Sequence, residues 1–202
     1  HQPPMKGIEF SISFLIGLFL TLLIFGLSLY LLFTWFGHAE ELRATIDQQT
    51  KEHILSTLKI SNQLVVIPQN IQEVTKGKSA TFGIGIRNLQ DDRVFTIKTT
   101  FAAAYAPDGT PYSVDAAYLT QHWLGTFSED HVLIAKNAQA AIPLLIRSLA
   151  NSGPITQTKQ GDYVFNLCIF TDEQEDCSLR AYQEQPDRFY TKKLYQLVVR
   201  VK

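Results

Sequence analysis

The sequence has little sulfur, little charge and no chemical signature of catalysis. It holds 2 cysteines and 1 methionine in 202 residues, and its 18 basic and 19 acidic residues leave a formal net charge of −1. With no basic stripe, there is no electrostatic case for nucleic acid. A lone Met5 rules out the usual blue-copper ligand set. Gly83 and Gly85 sit inside a strand-like run with no helix after them, so they make no phosphate loop. No Gly-x-Ser-x-Gly elbow and no Asn-x-Ser/Thr sequon occurs. The run from Asp172 to Asp176 is too irregular for a calcium loop. His122 and His131 bracket Trp123, Glu129 and Asp130, but nothing there has the spacing of a helical zinc-ligand pair. The expectation is therefore a protein that is not an enzyme and has no cofactor, no metal and no nucleic-acid partner.

What is present is an uncharged run from Phe10 to Gly37. A helix of that length spans about 42 Å, against a hydrocarbon core of about 30 Å. It is too long and too bulky at its end for a removable signal peptide. The reading is a retained transmembrane helix over 10–37 with the lipid bilayer as partner. Lys6 before it and Glu40 and Glu41 after it place the N-terminus in the cytoplasm and the following domain outside. Residues 1–9 form a short leader, in which His1 to Pro4 read as non-native before Met5. Ser13, Gly17, Thr21 and Ser28 share one face of the span, where small residues let helices approach closely, either another copy or a partner transmembrane helix.

Residues 38–61 contain neither Pro nor Gly, and Leu42, Ile46, Ile54, Leu55 and Leu58 fit one helical stripe. This predicts an exposed helical stalk whose stripe must be covered by the following domain or by another copy. Beyond Asn62 the period switches to two. Strands are predicted over 63–67, 81–87, 94–105, 141–147, 163–170 and 194–201, with weaker candidates over 118–127 and 132–134. Pro143 within such a run points to an edge strand or a bulge. The fold class expected is an N-terminal transmembrane helix extended into an exposed helix, then an all-β antiparallel sandwich over 62–202. Cys168 and Cys177 are expected to form a disulfide that pins the segment after the 163–170 strand to the sheet.

Met5-Lys6-Gly7-Ile8-Glu9 followed by an apolar helix resembles the class III signal of type IV pilin-like proteins, the archaeal members most of all. The resemblance implies cutting after Gly7 by a prepilin-type peptidase, with Lys6, Gly7 and Ile8 as the processing site and apolar helices packed in a filament core. Glu9 would stand second after the cut rather than fifth, and the archaellin-type glycine pattern is missing. Residues 77–88, 141–146 and 161–167 are similar to the Ig-like or fibronectin-III-like modules of prokaryotic surface proteins, which implies a fold and no chemistry. Together these imply a membrane-anchored, pilin-like cell-surface protein that acts by assembly or adhesion, on the membrane or in a surface filament. The alternatives are an unprocessed single-pass accessory subunit of a membrane complex, or an anchored ligand-binding domain.

Overall fold

The computed structural model describes residues 12–41, 48–171 and 176–202. The chain divides into two compact units, His1–Thr45 and Ile46–Lys202. The processing residues Lys6, Gly7 and Ile8 lie outside the described residues, as does the side chain of Ser13.

The first unit carries helix α1, Ile12–Glu41. Among the described residues, no helix is long and apolar enough to cross a membrane. The transmembrane helix over 10–37 is corrected on that ground. So are the single-pass placement with its cytoplasmic and extracytoplasmic sides and the description as a pilin-like surface membrane protein.

The second unit opens with α2, Gln48–Ser61, which Asn62 ends by turning left-handed (φ 52°). Eight strands follow: β1 Val65–Val66, β2 Ile71–Val74, β3 Ser79–Arg87, β4 Arg93–Tyr105, β5 Glu129–Ile134, β6 Gln139–Arg147, β7 Gly161–Phe170 and β8 Tyr195–Val201. They form a three-stranded sheet, β1-β3-β6, and a five-stranded sheet, β2-β8-β7-β4-β5. The alternating residues Phe82, Ile84 and Ile86 of β3 and Ile142, Leu144 and Ile146 of β6 share one core with Phe95 and Ile97 of β4. Phe165 and Leu167 of β7 and Leu197 and Val199 of β8 complete it. Pro143 lies on β6, an edge strand, where its missing N–H breaks no ladder.

The expected all-antiparallel sandwich is corrected in two respects. First, β2 runs parallel to β8, because the chain leaves β1 at Pro68, crosses to the other sheet and enters it in the direction in which β8 runs. Secondly, helices pack on and between the strands, so the architecture is mixed α/β. The weak strand candidate over 118–127 is helical. It comprises α3, Ala116–Tyr118, then a π-helix, Leu119–Leu124, then a 3-10 turn, Gly125–Ser128. Leu119, Trp123 and Leu124 all point into the core, a helical spacing rather than an alternating one. Asp115 caps this segment through the Tyr118 N–H at 2.9 Å. A last helix, α4, Leu179–Glu184, lies in the segment between β7 and β8.

Helix α2 covers the three-stranded sheet. Ile54 and Leu58 are fully buried with Val66, and a methyl group on Gly85 of β3 would lie 2.5 Å from Ile54 Cγ2 and 2.9 Å from Leu58 Cδ1. Only glycine lets this helix approach so closely.

Candidate interaction surfaces

On α1, every described side chain is exposed. The large apolar ones, from Phe14 to Tyr30, stand 48 % to 68 % open and point in every direction around the axis. Two hydroxyls in it are turned inward. Thr21 Oγ1 donates to the carbonyls of Gly17 (3.0 Å) and Leu18 (2.8 Å), and Ser28 Oγ donates to Ile24 O at 2.8 Å. The predicted packing face therefore shows no free hydroxyl at Thr21 or Ser28, and a methyl on Gly17 would meet nothing within 4 Å.

In the second unit the Cys168–Cys177 disulfide is present. Both sulfurs are buried, with Phe170, Phe189 and Tyr182 packed around them on the outer face of β7. Thr100 Oγ1 donates to the Cys177 carbonyl at 2.5 Å, which ties the segment to β4 as well. The segment is thus held by a covalent bond, an aromatic cluster and a cross-strand hydrogen bond.

The two histidines are not brought together into one site. Trp123 is buried and donates Nε1–H to Asn151 O at 3.0 Å, while His122 stacks on Tyr118 at 4.2 Å. His131, on β5, lies 3.2 Å from Thr96 Oγ1 and 3.9 Å from Glu129, which also pairs with Lys98 at 3.5 Å. Among the described residues no group of three or more His, Cys, Asp or Glu side chains could hold a metal ion.

Two open depressions flank the five-stranded sheet. One, about 600 Å³, lies at the ends of β7 and β8. Its charges satisfy one another: Arg200 donates twice to Asp162, at 2.8 and 2.9 Å, and reaches Glu73 at 3.7 Å, while Lys202 pairs with Glu73. Arg200 holds the Asp162 carboxyl below its usual range, and Lys202 does the same for Glu73. The other, about 610 Å³, opens where the two sheets part, between β1 with the crossing segment after it and the start of β8. Leu64, Val65 and Ile67 face Lys193, Leu194 and Gln196 across it.

No family model matches the chain, and no curated protein matches it. Among solved structures it is similar to the alkylpurine DNA glycosylase AlkC of Pseudomonas fluorescens, at 6 % identity and a TM-score of 0.38, covering 72 % of this chain and 33 % of that one. It is similar to a family 123 glycoside hydrolase from Clostridium perfringens, at 12 % identity and 0.32, covering 65 % and 22 %. It is also similar to the sporulation control protein Spo0M of Bacillus subtilis, at 8 % identity and 0.27, covering 68 % and 47 %. The chain spans less than half the length of each of these structures. At such scores the likenesses transfer neither a fold family nor an activity, and none of the three is a pilin.

The sequence reading missed the parted sheet edges. They depend on β2, whose four residues Ile-Gln-Glu-Val are too few for a clear strand signal.

Proposed function

We propose that this protein is a non-catalytic assembly and display protein, in which α1 packs against α1 of further copies and the two-sheet unit is the head each copy carries. One observation supports this reading: α1 is apolar on every described face, and the hydroxyls of Thr21 and Ser28 are bonded back to its own carbonyls. Such a rod left in water forfeits about 25 cal/mol for each Å² of apolar surface. A groove on a single partner covers one stripe of a helix. A bundle of identical rods covers all of them, because each supplies the surface that the next requires.

The test is analytical ultracentrifugation of the full chain in detergent-free buffer, beside a Leu20→Glu/Ile24→Glu variant. The expected result is an oligomer of defined stoichiometry that the variant dissociates to monomer, since two buried charges without partners cost several kcal/mol per helix. A monomeric full chain, a heterogeneous aggregate, or a variant that assembles as well as the parent would overturn the reading.

A further inference from the structure

We infer that the groove between β1 and the start of β8 takes an extended peptide strand carrying an acidic side chain, which pairs with the open edge of β8 at Gln196. The inference is independent of α1 and of assembly through it.

It begins with the ladder. β8 pairs with β7 over its whole length, from Tyr195 opposite Leu167 to Val201 opposite Gly161. On its other side β2 covers only Val198–Val201. The Val198 N–H donates across that side to Asn70 O at 2.7 Å, and the Lys202 N–H to Val74 O at 3.0 Å. Main-chain direction alternates with period two along a strand. The N–H and C=O of Gln196 therefore point to the same side as those of Val198. There the crossing segment has already left for the other sheet at Pro68, and the groove lies in its place.

Two other edges of the molecule are blocked. Pro143 interrupts β6, and on β5 the Asp130 carboxylate accepts the His131 N–H at 2.9 Å. Gln196 has no such guard.

The walls suit a strand. Leu64 and Ile67 on one side and Leu194 on the other offer half-buried apolar surface to alternate side chains. The charge decides which strand. Among the described residues, Lys193 lines the groove with no carboxylate beside it and makes no ion pair. An acidic side chain entering beside Lys193 meets a complementary charge, whereas a basic one meets a like charge. The partner is thus an extended acidic segment with apolar or β-branched residues at alternate positions.

A random linear nonapeptide library displayed on phage and panned on the full chain tests this. Enriched clones should share a period-two apolar pattern with an Asp or Glu. Their synthetic peptides should slow hydrogen exchange at the Gln196 amide and leave the exchange of α2 unchanged. Lys193→Glu should weaken these peptides roughly three- to tenfold, the range of a reversed exposed pair, and improve their lysine counterparts. Gln196→Pro, which removes the N–H directed at the groove, should abolish binding. No enrichment, enrichment without acidic preference, or binding that leaves Gln196 exchange unaltered would each overturn the proposal. The Lys193→Glu arm stands even if the proline variant does not fold.

Discussion

Single residues in this protein hold distant segments together. Asn88 is fully buried, and its Nδ2 donates to Asp91 O at 3.0 Å and Ile134 O at 2.9 Å, while its Oδ1 accepts the Gln90 N–H at 2.9 Å. One side chain thus joins the turn after β3 to the end of β5, leaving no polar atom stranded. Tyr163 closes another loop, donating to Lys159 O and accepting from Lys159 N–H. The Asp162–Arg200 pair yields a pH prediction. Two N–H bonds from Arg200 depress the Asp162 carboxyl, so its contribution is present above about pH 3.9, the ordinary carboxyl value, and is lost as pH falls through the folded value. Arg200 is 43 % exposed, so solvent screening keeps the worth of the pair small. Asp162→Asn should therefore lower stability slightly in urea at neutral pH, and the difference should shrink as pH falls through the folded carboxyl's value. A difference that persists unchanged in acid would show that the charge is not its cause.

At the scale of elements, alternation in the sequence carried most of the sheets. Thr81 to Arg87, Ala141 to Arg147 and Tyr163 to Phe170 read as strands because their buried residues recur every second position, and they are strands. The reading failed where period and composition conflicted. In the 118–127 segment, aromatic and β-branched residues suggest a strand, yet Asp115 caps a helical turn that brings Leu119 and Trp123 to one face. The docking of α2 was legible only in part. Its stripe of Ile54, Leu55 and Leu58 required a cover, and β3 provides one through the missing side chain of Gly85. Gly85→Ala should cost about 1–3 kcal/mol, because a methyl there collides with two fully buried side chains. Thermal unfolding reads the loss, and hydrogen exchange should place it in α2. Unaltered protection of the α2 amides would show that the helix has room to shift.

At the scale of the molecule, the division into His1–Thr45 and Ile46–Lys202 makes its own prediction. The fragment 46–202 contains both sheets, α2 and the disulfide, and should unfold cooperatively within a few degrees of the corresponding transition in the full chain, followed by circular dichroism. A fragment without a cooperative transition would refute its autonomy. The disulfide is worth about 3 kcal/mol or less by chain entropy, since it closes a loop with a sequence separation of only 9. Its main effect is local, in fixing the segment between β7 and β8 to the sheet. The sequence by itself determined an uncharged apolar helix, the period of most strands, the paired cysteines and an edge strand or bulge at Pro143, because each follows from local spacing or from the chemistry of one residue. Only the tertiary structure decided that β2 lies parallel to β8, that Gly85 admits α2, and that β8 is left uncovered at Gln196. These depend on where segments far apart in the chain meet, and no local pattern in the sequence encodes that meeting.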